Sequence, residues 1–239
     1  NAQVVSGKKV ILRYDIDVAL RLPSVAQGYN PSVAEDFKLK AGLETLKLCL
    51  QHGSKVILMG HVGRPGGKVV PQLSVEPIRQ WFSDQGFNLN ILENLRFDPR
   101  EEAGDSEYAK ELAQMGEVYV NEAFSAYRPA VSTTVLPSLL PHFAGLHFAE
   151  EVRVLREVRD NPKKPFVAIM GGAKVADKLP VIQVLAKKAD AVLVGGKLIH
   201  EIRELASLAA SRSGQNIALP VNVMVGKLSE DGFDIAPET

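Results

Sequence analysis

The stretch Pro165 to Lys178, PFVAIMGGAKVADK, does most to limit what this chain can become. Phe166, Val167, Ala168, Ile169 and Met170 form a short continuous apolar run, the pattern of a parallel strand covered on both faces. Gly171 and Gly172 then allow a sharp turn or a close approach of backbone to a ligand. Lys174 and Lys178 are four residues apart, so on a helix they are neighbours. A helix N-terminus with bare amides and two ammonium groups favours an anion such as a phosphate. An ordinary βα turn with two solvated lysines fits the same spacing, and the stretch alone leaves both open.

The same grammar recurs along the chain. Lys8–Tyr14 (KKVILRY), Lys55–Met59 (KVILM), Asn90–Phe97 (NILENLRF), Val118–Val120 and Ala191–Val194 read as strands or strand exits. Between them lie helical patterns: Asp36–His52 closed by Gly53, a helix capped by Ser74 and running to about Gln85, Asp105–Met115, and Glu150–Arg159. Val135–Phe148 carries Pro137, Pro141 and Gly145 and reads as short helical pieces and turns. Beyond Pro165, helices at Asp177–Lys188 and Leu198–Leu208 and a last strand near Ile217–Val225 continue the alternation. Strands alternating with helices imply an α/β fold with parallel sheets and right-handed crossovers. The break at Asn161-Pro162 and Pro165 marks a domain boundary. We expect a first domain over 1–148, a connecting helix and linker over 149–164, and a second domain over 165–239.

Composition narrows the partners. The 239 residues are 46% apolar and 23% charged, which is globular rather than disordered. Formal net charge is zero, which gives no support for nucleic acid or a membrane surface as the main partner. Cys49 is the only cysteine, so neither a disulfide framework nor a cysteine metal site is available. No transmembrane run or basic-then-apolar leader stands out, so a cytoplasmic setting is expected.

Chemistry-bearing residues sit at or just past strands. Asp15 and Asp17 sit just past the first strand, and Asp15, His61, Arg64, Arg96 and Arg128 would gather at one sheet's carboxyl edge, making a basic cleft for an anion. Any one arginine alone is more often a solvated surface charge, and a lone loop histidine more often a structural one. No glycine-rich loop ending Gly-Lys-Ser/Thr and no Gly-x-Gly-x-x-Gly occurs, so P-loop and dinucleotide readings fall away.

Taken in order, RYDIDV (13–18), GHVGRP (60–65), ENLRF (93–97), YVNEAF (119–124), PFVAIMGGAKVADK (165–178), ALPVNV (218–223) and DIAPET (234–239) resemble the phosphoglycerate kinase family over about its first three fifths. The resemblance implies two doubly wound, Rossmann-like parallel-sheet domains, the second incomplete, facing a cleft. It implies phosphoryl transfer between 1,3-bisphosphoglycerate and ADP, giving 3-phosphoglycerate and ATP in glycolysis, by a cytoplasmic monomer. Magnesium would come with the nucleotide, its protein ligand lying beyond this stretch. By position, Asp15, Asp17, Lys38, His61, Gly63, Arg64 and Arg128 would hold the glycerate. Gly172, Lys174, Lys178, Gly195 and Gly196 would hold the nucleotide, with Lys174 and Lys38 steadying the phosphoryl in flight.

The chain also departs from the family pattern. Asp17 stands where the family has asparagine, and Lys38 where it has arginine. The loop Asn121–Ala130 is one residue shorter and lacks two histidines, no arginine matches near His142-Phe143, and Lys197 replaces a glycine. The stretches 85–90 and 225–234 are compressed. The resemblance also implies that half of the nucleotide site is carried by a segment beyond this stretch, so we expect the 239-residue chain by itself to be inactive. A diverged, non-catalytic phospho-ligand-binding module and a purely structural protein are the alternative readings.

Overall fold

The computed structural model describes residues 2–21, 31–126, 128–172, 175–195, 198, 217–218, 224–229 and 232–237. The chain divides into two compact units, Asn1–Leu155 and Arg156–Thr239.

In the first unit, strand β1 (Lys9–Arg13) is followed by the short pair β2 (Leu20–Arg21) and β3 (Ser32–Val33). Helices α1 (Phe37–Ala41) and α2 (Leu43–Gln51) lead to β4 (Lys55–Met59). Then come α3 (Glu76–Asp84), β5 (Asn90–Ile91), α4 (Pro99–Ala103), α5 (Ser106–Ala113) and β6 (Val118–Asn121). A π-helical turn at Val131–Val135, α6 (Leu136–Leu139), β7 (His142–Ala144) and the start of the 15-residue α7 (Leu146–Asp160), within which the division at Leu155 falls, complete the run. The main sheet has the order β5-β4-β1-β6-β7, with parallel pairing throughout. Counted along the chain, its strands run 3-2-1-4-5, the doubly wound arrangement. Its direction of winding reverses at β1, so the loops after β1 and β6 part there and leave a crevice.

Alternation along β1 builds a core on each face of the sheet. Val10, Leu12 and Tyr14 pack with Leu46, Leu58, Ile78 and Phe82 on one side. Ile11 packs with Met59, Leu112, Tyr119, Val131 and Leu136 on the other. Cys49 lies in the first cluster, 1% exposed, and burial with a nearby Glu122 carboxyl pushes its thiol up to about 11.

Several local expectations are refined. The helical pattern over Asp36–His52 is two helices, α1 and α2, meeting at Gly42. The Tyr14 ring lies against Gly42, and a Cβ there would run into Tyr14 Cζ. Ser74 is extended and stands at the entry of α3, where its hydroxyl accepts from Glu76 N at 3.3 Å and donates to Glu93 at 3.1 Å; the helix starts at Glu76. The proline-rich stretch near His142 holds an unexpected fifth strand, β7, paired with β6. The helix expected from Glu150 begins at Leu146, because Glu122 and Thr45 cap it. Thr45 Oγ1 accepts from Leu146 N at 2.7 Å and donates to Glu122 Oε1 at 2.9 Å, which accepts from His147 N at 3.0 Å. Gly145 makes room for this carboxylate: any Cβ would run into Glu122 Oε2.

In the second unit, β8 (Val167–Met170), β9 (Ala191–Val194) and β10 (Ile217–Ala218) form a parallel sheet in the order β10-β9-β8, with α8 (Val175–Ala186) crossing between β8 and β9. Ala168, Val192 and Val194 pack with Ile182 of α8. Val167 and Ile169 are exposed, so β8 is covered on one face and not on both. The strand expected near Ile217–Val225 is met at its start by β10, and residues 219–223 lie outside the described ones; the antiparallel hairpin of β11 (Met224–Ser229) with β12 (Gly232–Pro237) was not expected. The helix expected over Leu198–Leu208 falls almost wholly outside the described residues. Among the described residues no helix is long and apolar enough to cross a membrane.

Gly42→Ala forces its methyl into the Tyr14 ring. We expect a loss of about 1–3 kcal/mol of stability, read as a lower urea midpoint at unchanged slope.

Candidate anion site at the carboxyl edge of the first sheet

Arg13 ends β1 on the same face as Ile11 and is 1% exposed. A buried guanidinium is costly unless its donors are met. Nε donates to Ser132 Oγ at 3.0 Å, one terminal nitrogen to the Tyr14 carbonyl at 2.6 Å, and the other to His61 Nδ1 at 2.7 Å. Ser132 Oγ passes the contact on, donating to Glu101 Oε1 at 2.6 Å. Burial raises the Glu101 carboxyl, and burial likewise lowers the Arg13 guanidinium from its ordinary value.

The loop after β4 is held by the exit of β5. Asn94 is buried; its Oδ1 accepts from Val62 N at 3.2 Å and its Nδ2 donates to Val62 O at 2.8 Å. Arg96 donates to Gly63 O at 2.9 Å and pairs with Glu102 at 3.2 Å. Residues 60–67 are thereby pinned beside β1, which gives the ENLRF motif a structural purpose.

The result is an open cleft of about 340 Å³ at the switch point, lined by Arg13, Arg64, Arg96 and Arg128 with Asp17 and His61. Glu101, Glu102 and Ser125 also reach its wall. Arg64 and Arg128 are exposed and, among the described residues, meet no carboxylate. Two guanidiniums are thus left to bind an outside anion.

Of the residues expected to hold a substrate, Asp17, His61, Arg64 and Arg128 come together in this cleft. Asp15 and Lys38 line a neighbouring hollow of about 290 Å³ with Phe37, Phe124 and Ser125. Lys38 is turned to its own loop: Nζ donates to Asp17 O at 3.0 Å and lies 3.5 Å from Asp15 Oδ2. Gly63 bridges the site through its backbone, its N donating to Asp17 Oδ1 at 2.8 Å. In the second unit, Gly172 ends the β8 turn, and a Cβ on it would lie 3.8 Å from Lys178 Cε, so these two are neighbours. Gly195 N donates to Met170 O at 2.8 Å. Lys174 and Gly196 lie outside the described residues. Sequence reasoning took Arg13 as part of a strand and missed Glu101 and Ser132. The one available signal was a charge at the end of an otherwise apolar strand.

His61 has a defined state. A guanidinium only donates, so Nδ1 accepts from Arg13 and the ring proton sits on Nε2. Nε2 looks toward Asp17 Oδ2 at 3.7 Å, beyond direct hydrogen bonding. Burial, with Arg13 and Arg96 nearby, pushes His61 down to about 3. The cleft therefore offers a neutral N–H donor across the ordinary pH range.

This is a candidate anion site, an arginine-lined cleft at the switch point of a doubly wound α/β domain, the class of protein in which strand-end loops carry the chemistry. The phosphoglycerate kinase family model matches residues 1–88 and 87–214, and the chain belongs to that family. A phosphoglycerate kinase of Roseiflexus sp. (strain RS-1) is 38% identical over 222 residues, covering 82% of this chain and 54% of the relative. One from Chlorobium phaeobacteroides (strain BS1) is 35% identical over 233 residues, covering 87% and 57%. The chain spans about half the length of these curated relatives. Its fold matches the structure of phosphoglycerate kinase from Coxiella burnetii with a TM-score of 0.77 at 24% identity, covering 98% of this chain and 69% of that one. It also matches that from Pyrococcus horikoshii OT3 with a TM-score of 0.74 at 21% identity, covering 97% and 72%.

The lowered His61 value gives stability a sign with pH. Unfolded histidine titrates near about 6.5, so between there and about 3 the folded form binds fewer protons. The His61 share of stability is full above about 6.5 and is lost as pH falls toward about 3. Glu101 and Glu122, raised by burial, act oppositely: their share is full below the unfolded carboxylate value and is lost as pH rises through the folded one. We expect ¹⁵N NMR to show neutral, Nε2-protonated His61 at pH 5. We expect His61→Gln to flatten the fall of urea stability on acidification. An imidazolium signal at pH 5 would contradict this geometry.

Proposed function

We propose that this protein works as a phosphoglycerate kinase, moving a phosphoryl group reversibly between 1,3-bisphosphoglycerate and ADP to give 3-phosphoglycerate and ATP. One observation carries the proposal: four arginines meet at the switch point of a sheet in a member of this family, and two of them have no carboxylate partner among the described residues. Relatives that bear the kinase's name at 35–38% identity favour this over a non-catalytic binding module.

In this reading residues 1–148 form the glycerate-binding domain, 149–164 the connector and 165–239 the nucleotide-binding part. Arg64 and Arg128 take the anionic groups of the glycerate, and the His61 Nε2–H donates to an oxygen. Asp15 accepts from the glycerate hydroxyl. Lys174, and Lys38 once its ammonium leaves Asp15 and the Asp17 carbonyl, neutralise the phosphoryl in flight, and Gly172, Lys178, Gly195 and Gly196 cradle the nucleotide phosphates. A carboxylate oxygen of 3-phosphoglycerate attacks the terminal phosphorus of ATP, and the bond from that phosphorus to the ADP oxygen breaks. Such transfer needs alignment and charge neutralisation more than covalent help, so lysine, arginine and backbone amides suffice. Magnesium enters with the nucleotide, as part of that substrate. Among the described residues no group of three or more His, Cys, Asp or Glu side chains is set to hold a metal. The protein acts as a cytoplasmic monomer with small-molecule partners rather than nucleic acid or membrane, in keeping with its zero formal charge.

Calorimetric titration of the 239-residue chain with 3-phosphoglycerate tests the glycerate half. A charge-assisted hydrogen bond contributes about 1.5–3 kcal/mol, so Arg64→Ala should weaken binding roughly 10- to 100-fold. Absence of binding by the folded parent chain would overturn the reading. In a coupled assay the 239-residue chain, which spans about half its relatives' length, should show no turnover.

A further inference from the structure

Besides Glu101 and Glu102, which Ser132 and Arg96 engage, a third carboxylate, Asp17, lines the cleft where an anionic ligand would want none. Asp17 Oδ1 accepts the Gly63 N–H at 2.8 Å. Asp17 Oδ2 is the nearest acidic atom to His61 Nε2, at 3.7 Å, and the Asp17 carbonyl takes the Lys38 ammonium at 3.0 Å. The Asp17 carboxylate thus holds one donor of the cleft, the Gly63 N–H, and stands opposite a second, the His61 Nε2–H, without bonding it. The carboxylate is not needed to compensate the buried guanidinium, since Arg13 is met by Ser132, Tyr14 O and His61. Nor is it a buried cap: the Asp17 side chain is 41% exposed and lines the open cleft.

We infer that Asp17 is a specificity-determining residue, a fixed negative charge in the cleft that narrows its preference for the more highly charged of two related anions. The inference rests on the proposed glycerate reading of this cleft. It separates two roles that a loop aspartate can combine. As a hydrogen-bond acceptor for Gly63 N–H, Asp17 shapes the 60–67 loop, and asparagine would do the same through its own Oδ1. As a charge, it lowers the positive potential that Arg64, Arg96 and Arg128 create, and it repels the ligand. Only the second role depends on how much charge the ligand carries. A carboxylate at close range in a half-solvated site changes the affinity for a polyanion by about tenfold, and salt screens the effect.

The test uses the full 239-residue chain and two ligands that share a skeleton. 3-Phosphoglycerate carries a carboxylate and a phosphate, whereas glycerate carries the carboxylate alone. By calorimetry we expect Asp17→Asn to tighten 3-phosphoglycerate by about tenfold and glycerate by less than about threefold, with a steeper loss of affinity as salt is raised. Asp17→Ser, which removes the charge and the cap together, should still bind 3-phosphoglycerate more tightly than the parent. Glu107→Gln, outside the cleft, should change affinity less than about twofold. Equal gains for both ligands, or no gain in Asp17→Asn, would overturn the inference while parent binding that is lost in Arg64→Ala leaves the glycerate reading intact. If neither the parent nor Asp17→Asn binds 3-phosphoglycerate, the glycerate reading falls and this inference falls with it.

Discussion

A buried guanidinium organises the first unit. Arg13 stands at the end of the central strand, where solvent would normally take up its donors, and it is sealed from water. Its five N–H groups therefore impose demands on neighbouring segments. The π-helical turn answers with Ser132, the loop after β4 with His61, and α4 with Glu101 one step behind. Among the described residues no buried side-chain nitrogen or oxygen lacks a partner, and each of the three Arg13 nitrogens has one. Removing one partner would leave a charge buried without compensation, which is far costlier than losing an ordinary hydrogen bond. The same contact sets the chemical state of the cleft floor, because it decides which nitrogen of His61 carries the proton.

Sheet topology explains why distant stretches of sequence meet here. Winding outward from β1 through β4 to β5, then back through β6 to β7, leaves the loops after β1 and β6 free to part. Arg13 and Asp17 come from one side of that opening, Ser125 and Arg128 from the other. His61, Arg64 and Arg96 arrive from the exits of β4 and β5, stapled by Asn94. Parallel pairing aims every strand's carboxyl end the same way, so loop residues more than a hundred positions apart share one wall.

Much of this was legible in the sequence. Apolar runs ending in glycine or charge gave the strands β1, β4, β6, β8 and β9, and the strand-exit positions of His61, Arg64 and Arg128 gave the cleft. What escaped was decided by tertiary contacts that periodicity does not carry. The break at Gly42 depends on the Tyr14 ring, and the early start of α7 depends on Glu122 and Thr45, which are remote in sequence. β7 is only three residues long and sits among prolines, so it offers no alternation to read. Arg13 was hidden by its own setting, since a strand-end charge usually reaches water. Lys38 shows the converse: its position suggested the anion cleft, but Asp15 and the Asp17 carbonyl hold its ammonium in the adjoining hollow.

The burial of Cys49 has a practical side. It is the chain's single thiol, packed in the core beneath the main sheet and pushed up to about 11, so almost none of it is thiolate near neutral pH. The folded protein is in effect blank to maleimides and other thiol reagents. A cysteine placed on an exposed loop could carry a fluorophore or spin label as the sole reactive position, without first stripping the native residue from the core. Reactivity appearing at Cys49 itself would then report that the first core had opened.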